Sequence, residues 1–279
     1  RWANLLYIIS KDKSLQEQEV SHSSVVGVFD GEWADAADAS WDSTAIAVAR
    51  QPEEKMVLVG EDGQVLTYVG GESASEELKP QPRMIRRAKT IAGLVYACGV
   101  GRQVYRRVGE GDWQPMNAPA PKSSEKVGFE GIDGFSESEI YGVGWGGEIW
   151  QFDGASWHDR SGLTNLILTS VCCADDDLVY VVGQQGLLIR GREGVWEVVE
   201  WNDDFDQDFW DVCWFNGKVY LATMTGLYTL EEDELVSVQF DDTFNPSCYR
   251  LSAEGSALWS IGASDVMSFD GETWRNHTL

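Results

Sequence analysis

Short apolar runs separated by glycine-containing turns occupy almost the whole chain. A representative unit begins with an apolar run such as residues 46–49 or 168–173, and a short polar turn follows it. Next come an alternating run that ends in glycine, a tight turn, a run that ends in Asp-Gly, and a last run that opens with Trp. Short runs joined by glycine turns are typical of β-hairpins. No segment of helix length repeats its apolar residues every 3.6 positions, so the pattern excludes a helical solenoid.

This unit recurs seven times along the chain. Six copies are recognisable in residues 56–72, 94–113, 140–157, 178–196, 219–236 and 258–274, and residues 25–33 match the second half of the unit. The tryptophan that opens the last run, or the residue in its place, stands at positions 33, 72, 113, 157, 196, 236 and 274. Four short strands in a period of about 40 residues make one propeller blade. The sequence therefore predicts an all-β fold, a seven-bladed β-propeller with four antiparallel strands per blade.

The repeat also predicts how the chain is organised. Residues 1–279 are expected to form a single domain, with blades at approximately residues 1–38, 39–80, 81–120, 121–162, 163–203, 204–242 and 243–279. In the first blade, the offset from Trp33 places an innermost strand at residues 5–10 and a second strand at residues 15–20, which completes the blade. An open or irregular first blade is the alternative, because Gln-Glu-Gln-Glu at residues 16–19 is a poor strand sequence.

Three hairpin sequences carry a family resemblance. Residues 268–274 (Ser-Phe-Asp-Gly-Glu-Thr-Trp) look like an Asp-box hairpin that is one residue short, and residues 152–157 and 29–33 are weaker copies. The chain thus resembles BNR/Asp-box propellers, the related photosystem II assembly-factor-like repeats and, more widely, WD40/YVTN-like propellers. The resemblance covers nearly the whole chain and implies the fold. It does not specify a function, because this architecture hosts glycosidases, assembly factors, receptors and scaffolds.

Charge is the strongest signal in the composition. The chain has 46 Asp and Glu against 21 Lys and Arg, a formal net charge of −25. Such a protein repels nucleic acids and anionic membranes, so neither is expected as a partner. It attracts basic proteins and accelerates encounter with them. Solubility alone is the alternative explanation of the acidity.

The cysteines and the N-terminal sequence bear on the compartment. The five cysteines form no CxxC pair, and most lie in apolar strand-like runs, as expected of small buried side chains. No apolar run is long enough to span a bilayer, and no secretory signal is recognisable at the N-terminus. A reducing cytoplasm is the predicted compartment.

Residues for catalysis, metal binding or cofactor binding are sparse. A sialidase would need arginines drawn from several blades, whereas six of the thirteen arginines here cluster in residues 83–107, and the three histidines, His22, His158 and His277, fall in separate blades. The glycine-rich residues 142–147 precede a strand, not a helix, which argues against a dinucleotide site. The acidic run 203–208 lacks the glycine and distal glutamate of a calcium loop, and the acidic run 175–177 reads as a short turn between strands. We therefore expect no enzyme activity, no metal and no cofactor.

A protein-binding surface is the favoured alternative to an active site. On the predicted fold, the loops from fourth to first strands and from second to third strands emerge on one face. The candidate contact residues on these loops are Trp41, Asp42, Asp62, Trp145, Asp203, Asp204, Phe205, Asp206, Asp208, Asp241, Asp242 and Phe244, with Asp35, Asp38 and Glu61 beside them. Acids interleaved with aromatic residues suit the attraction and anchoring of a basic protein. The alternative is that Trp41 and Phe244 pack beneath their own loops.

One segment departs from the acidic background. Residues 79–107 contain eight basic residues and no acid. These residues either orient the molecule on a partner or form salt bridges with neighbouring blades, and the sequence leaves both readings open.

These observations favour a non-enzymatic, monomeric propeller whose acidic face captures a basic protein. A concrete version is an immunity protein that neutralises a cationic toxin, such as a secreted nuclease domain. An assembly or chaperone-like factor for a protein complex is a second hypothesis. A glycosidase-like carbohydrate-active enzyme is a third.

Overall fold

The computed structural model describes residues 5–29, 31–122, 126–201, 205–240 and 246–277. Its strands form seven antiparallel sheets, each built from consecutive strands, and the fold is a seven-bladed β-propeller with almost no helix. The described helical segments are α1 (Lys13–Glu17) and a single 3-10 turn (Trp145–Gly147). The predicted fold class is confirmed. No helix in the described ranges is long and apolar enough to cross a membrane.

The strands fall into sheets in chain order. The first sheet contains β1 (Leu5–Ser10), β2 (Ser23–Phe29) and β3 (Glu32–Ala39). The second contains β4 (Ser43–Ala49), β5 (Lys55–Gly60), β6 (Gln64–Val69) and β7 (Glu72–Glu77), and the third contains β8 (Ile85–Ile91), β9 (Leu94–Gly99), β10 (Gln103–Gly109) and β11 (Asp112–Pro115). The fourth contains β12 (Phe129–Ser136), β13 (Glu139–Gly144), β14 (Ile149–Phe152) and β15 (Trp157–Asp159).

The remaining three sheets repeat the four-strand arrangement. The fifth contains β16 (Leu168–Cys173), β17 (Val179–Gly183), β18 (Leu188–Arg192) and β19 (Val195–Val199). The sixth contains β20 (Asp211–Phe215), β21 (Lys218–Ala222), β22 (Leu227–Glu231) and β23 (Glu234–Ser237), and the seventh contains β24 (Arg250–Glu254), β25 (Ala257–Ile261), β26 (Val266–Phe269) and β27 (Trp274–Asn276).

The first blade differs from the predicted complete blade and agrees with the alternative of an irregular one. The segment 15–20 was expected to be a second strand, but Lys13–Glu17 is a helical turn and β1 pairs directly with β2. The side chain of Asp12 caps this turn by accepting the backbone N–H of Ser14 at 2.7 Å, and a capping aspartate favours helix over strand. Because β2 and β3 match the third and fourth strands of the other blades, β1 occupies the place of a second strand. The described part of the first sheet therefore has three strands.

Burial explains why the second strand of each blade is the most apolar. Every residue of β5, β9 and β17 is buried, because these strands are covered on both faces. Such strands show continuous apolar runs instead of alternation. The fourth strand lies at the sheet edge, and in β7 (Glu-Ser-Ala-Ser-Glu-Glu) nearly every residue is exposed. The position of each strand in its sheet therefore explains the hydrophobic pattern of the repeated unit.

The aspartate of the Asp-Gly turn holds the hairpin between the third and fourth strands. Oδ1 of Asp153 accepts the backbone N–H groups of Ala155 and Ser156 at 2.9 and 2.8 Å. Asp270 accepts the two equivalent N–H groups of its own turn at 3.0 and 2.8 Å. The glycine after each aspartate has a φ of 91° or 100°, a backbone conformation that is strained in residues with a side chain. The recurring Asp-Gly is therefore a requirement of the turn.

The tryptophan that opens the fourth strand joins its hairpin to the preceding blade. The ring of Trp157 lies 5.4 Å from that of Phe152, and its Nε1 donates a 2.7 Å hydrogen bond to the carbonyl of Met116, at the end of the third blade. Nε1 of Trp113 likewise donates to Glu76 of the second blade at 2.9 Å. The repeated tryptophan therefore packs within its own blade and bonds to the preceding one.

The chain divides into two compact units. Among the described residues, unit 1 comprises those within 143–151 and 159–277, and unit 2 comprises those within 5–142 and 152–158. The core of unit 2 includes Val57, Ile85 and Tyr105. The core of unit 1 includes Val182 and Phe209.

Candidate protein-binding surface

The structure describes seven of the twelve candidate contact residues. Trp41, Asp42 and Asp62 lie in unit 2, and Trp145, Phe205, Asp206 and Asp208 lie in unit 1. Asp203, Asp204, Asp241, Asp242 and Phe244 lie outside the described residues. Asp35 and Asp38, expected on a loop, lie within β3, and Ser24 donates a 2.7 Å hydrogen bond to Asp38 across the sheet. They are therefore strand residues.

Trp41 and Asp42 form the connection between the first and second blades. The ring of Trp41 is half-buried and lies over Gly60, where an added Cβ would come within 2.8 Å of Cε3. Only glycine leaves room for this ring. Asp42 is exposed and pairs with Lys11. Hydrogen bonds from the Lys11 ammonium and from Ser21 hold the pKa of the Asp42 carboxyl below its usual range, so it stays ionised.

Asp62 lies at the tip of the turn between β5 and β6. Its side chain is exposed, and the turn closes with a hydrogen bond from the Gly63 N–H to the Gly60 carbonyl at 3.1 Å. Gly63 has a φ of 90° and packs against Pro82. The neighbouring Glu61 accepts the Ile85 N–H through its backbone carbonyl at 2.8 Å. The turn therefore holds two carboxylates on a fixed backbone.

In unit 1, Trp145 begins the 3-10 turn between β13 and β14. Its side chain is half-buried. A Cβ at Gly147, the last residue of the turn, would approach the Thr164 carbonyl to 2.1 Å. The turn thus packs closely against the loop of residues 160–167. That loop in turn bonds to Gln184, whose N–H donates to Ile167 at 3.1 Å.

The loop of residues 205–209 is held by hydrogen bonds on two sides. Asp208 accepts the Gln185 N–H at 2.8 Å, and the carbonyl of Gln207 accepts the Gly186 N–H at 2.8 Å. The side chain of Gln207 also accepts the Thr225 hydroxyl at 3.1 Å. Asp206 is exposed between these anchors. We define the loop edge of unit 1 as residues 145–147, 160–167, 184–187, 205–209 and 223–226. Hydrogen bonds join the last four segments, and residues 145–147 pack against the first of them.

Phe205 differs from the predicted exposed anchor. Its ring stacks on Phe209 with centroids 5.2 Å apart and meets Tyr228 edge-on at 5.2 Å. The side chain therefore packs beneath its own loop, an arrangement that the sequence analysis weighed for Trp41 and Phe244 only.

Two exposed apolar side chains on the loop edge were missed by the sequence analysis. Leu163 is 39% exposed and Met224 is 49% exposed. Both lie in loops that join strands, where a lone apolar residue between polar neighbours gives no periodic signal. They supply apolar contact area beside Asp206 and Asp208.

Basic residues of the segment 79–107 form ion pairs within unit 2. Arg86 pairs with Glu130 of the next blade at 3.0 Å, and Lys89 lies 3.6 Å from Asp133 on the same strand β12. Arg106 pairs with Glu137 at 3.2 Å. These contacts join strands of neighbouring blades, so the structure supports the salt-bridge reading of this segment.

Arg107 makes the most deeply buried of these ion pairs. Its side chain is fully buried, and its Nη2 donates to Oε1 of Glu76 at 2.6 Å while Nε donates to Oε2 at 3.0 Å. Trp113 donates to the same carboxylate. Burial alone would raise the pKa of Glu76, but the hydrogen bonds from Arg107 and Trp113 outweigh it and lower the pKa. The second and third blades thus share a buried charge cluster.

The histidines make structural contacts. Nε2 of His22 accepts the Asp12 N–H at 2.7 Å, and His158 lies 2.7 Å from Asp153. His277 lies 2.7 Å from the Ser268 hydroxyl on the neighbouring strand of the last blade, and burial lowers the pKa of this imidazole. Within the described ranges, no three His, Cys, Asp or Glu side chains cluster closely enough to hold a metal ion.

The excess of acidic over basic residues is greatest in the C-terminal part of the chain. Residues 159–279, which make up most of unit 1, contain 22 acidic and 6 basic residues. In the described part, Arg190 and Arg192 pair with acids of the hairpin turns, Asp233 and Asp177. Unit 1 therefore carries a strongly negative charge.

Comparison with known proteins adds a full-length relative. No protein-family model matches the chain. The chain is 42% identical over 287 aligned residues to the immune protein Tsi7 of Pseudomonas aeruginosa, which covers 98% of this chain and 94% of that protein.

Solved structures agree on the propeller fold. A virginiamycin B lyase from Staphylococcus aureus matches with a TM-score of 0.68 at 14% identity, over 85% of this chain and 84% of that chain. YCF48 bound to D1 peptide matches with a TM-score of 0.64 at 14% identity, over 96% and 92% of the two chains. At such identities the likeness shows the fold alone, so the BNR/Asp-box assignment stays a prediction. The relative in Pseudomonas is decisive: the chain belongs to the family of the immune protein Tsi7.

Proposed function

We propose that this chain is an immunity protein that binds a protein toxin, blocks its action and catalyses no reaction itself. The observation that carries the proposal is the 42% identity to immune protein Tsi7 along 98% of the chain. A propeller suits this role because it presents loops on a rigid frame, although the fold alone does not specify it.

The charge of the chain supports a basic toxin as the partner. A net charge of −25 favours a basic partner and accelerates its encounter with the chain. The toxin is thus expected to carry a positive surface, as a nuclease domain would. A monomeric inhibitor in the cytoplasm remains the prediction for the free chain, with nucleic acids and membranes not expected as partners.

The loops described above are the proposed contact surface. In unit 1 these are Asp206 and Asp208, with Leu163, Trp145 and Met224 as apolar contacts. In unit 2 they are Trp41, Asp42 and Asp62. On sequence grounds, the proposed surface also includes Asp203, Asp204, Asp241, Asp242 and Phe244. Phe205 supports its loop from beneath.

Growth of bacteria that express the toxin tests the proposal. A toxin-like protein from a neighbouring gene is induced alone or together with this chain, and colony counts are measured. The toxin alone should stop growth, and co-expression should restore it. Unrestored growth, with both proteins present in soluble form, would refute the immunity role.

A charge-reversal pair tests the location of the surface. Asp206→Lys reverses an exposed charge on the loop edge and should weaken protection. Asp175→Lys makes the same change at the opposite end of β16, in an exposed turn, and should leave protection intact. Equal effects of the two variants would exclude the loop edge as the contact surface.

A further inference from the structure

A shallow depression of about 420 Å³ lies beside Trp41 in unit 2. The residues that line it are Trp41, Gln64, Val65, Ser75, Glu76 and Glu77. They come from the connection after β3 and from the facing strands β6 and β7, where Gln64 pairs with Glu77 and Val65 with Glu76. A volume of this size lies in the range of small-ligand sites. We call the depression the Trp41 pocket.

Two acceptors line the Trp41 pocket, one without a hydrogen-bond partner and the other weakly paired. Oε1 of Gln64 is buried and has no hydrogen-bond partner in the part of the chain that the structure describes. The Glu77 carboxylate is 61% exposed, and its cation Lys79 lies 3.4 Å away and is itself 78% exposed. An ion pair so exposed to water holds its members weakly, so a better-placed cation can replace the Lys79 ammonium.

The walls of the pocket are fixed. Both oxygens of Glu76 are occupied by Arg107 and Trp113, so Glu76 shapes the wall and its charge is already balanced. The ring of Trp41 is held over Gly60. A fixed site loses little conformational entropy when a ligand enters.

We propose that the Trp41 pocket receives an arginine side chain of the toxin, an inference that rests on the proposed function. A guanidinium is planar and always charged, so it stacks on an indole ring while its N–H groups reach separate acceptors. Trp41 supplies the ring, Glu77 the carboxylate and Gln64 the neutral acceptor. A lysine ammonium lacks the flat face, so the pocket should prefer arginine.

A short peptide serves as the probe, without the toxin. Acetyl-Gly-Arg-Gly-amide is titrated into the protein, and the indole N–H signal of Trp41, identified by its loss in Trp41→Phe, is followed by NMR. The signal should shift in a saturable way. The same peptide with citrulline, which has the shape of arginine without its charge, should cause no such shift.

Three variants separate the pocket from general charge. Glu77→Gln should weaken peptide binding by about fivefold. Glu72→Gln removes the same charge from the other end of β7 and should not change the affinity. Lys79→Ala removes the competing ammonium and should strengthen binding.

Each outcome has one reading. Three results would each disprove arginine binding in the Trp41 pocket. They are an unshifted Trp41 signal, equal responses to the arginine and citrulline peptides, and equal losses of affinity in Glu77→Gln and Glu72→Gln. Because the assay contains no toxin, its failure beside intact growth protection disproves the pocket alone. Lost protection beside arginine binding disproves the proposed function alone.

Discussion

A buried arginine is the least typical residue of the core. Arg107 is fully buried between the second and third blades, and its charge is balanced by Glu76, which is only 5% exposed. A buried ion pair contributes little net stability as a pair, but removal of one partner leaves an uncompensated charge in a medium of low dielectric constant. The complete ion pair is therefore expected to add little to the free energy of unfolding, whereas the loss of one partner should lower it strongly.

Loss of the Glu76 charge should destabilise the protein strongly. Glu76→Gln leaves the Arg107 guanidinium buried without its counter-ion, and the free energy of unfolding should fall by about 3–5 kcal/mol. Urea denaturation followed by tryptophan fluorescence measures this change. Glu231→Gln is the control, because Glu231 pairs with Lys218 at 2.6 Å on the exposed surface. If both variants unfolded at the same urea concentration, Arg107 would not depend on Glu76 for its charge balance.

Single hairpins were the level at which the sequence was most informative. The Asp-Gly turn and the following tryptophan make contacts within six residues, as in Phe152 to Trp157, so the repeat could be read locally. The prediction of a complete first blade was wrong, and its irregular alternative was right, because a capping aspartate, Asp12, favours helix in a run with a weak strand preference. Register between blades has no local signal, so the Arg107 pair and the Trp41 pocket could not be predicted.

The aspartates of the hairpin turns make the stability of the protein depend on pH. Backbone N–H groups of Thr273 and Glu272 lower the pKa of Asp270, and His158 with two backbone N–H groups lowers that of Asp153. The unfolded chain has an aspartate pKa of about 3.9. A lowered folded-state pKa gives stability that is fully present above that value and is lost as the pH falls through the folded-state pKa.

Unfolding experiments at several pH values test this effect. The free energy of unfolding should not change through these aspartates between about pH 7 and 5 and should fall below about pH 4. Asp270→Asn keeps an oxygen that accepts the two N–H groups but does not titrate. This variant should therefore lose less stability than the unchanged protein between about pH 5 and 3. Parallel pH curves for the two proteins would mean that Asp270 is not a source of the acid sensitivity.

At the scale of the whole molecule, charge is distributed unevenly. The basic segment 79–107 is engaged in ion pairs such as Arg86 with Glu130, whereas residues 159–279 hold 22 acids against 6 basic residues. The acidity was evident from the composition. Its division between paired and exposed side chains required the three-dimensional structure, because pairing depends on which strands are neighbours.

Salt should weaken the complex with the toxin. Screening shortens the range of attraction from about 30 Å at 0.01 M salt to about 8 Å at physiological ionic strength. The association rate should therefore fall steeply with salt, while the dissociation rate changes less. Surface plasmon resonance at several salt concentrations measures both rates. An association rate independent of salt would contradict the proposal that the negative charge of this chain attracts the toxin.

The central claim is that this chain neutralises a toxin by binding it. The most direct measurement is a titration of the purified toxin's activity with the purified chain. The account predicts a linear loss of activity that ends at one equivalent of chain, with the toxin recovered intact in a stoichiometric complex. Full toxin activity in the presence of excess chain, or inactivation by substoichiometric chain through turnover, would contradict it.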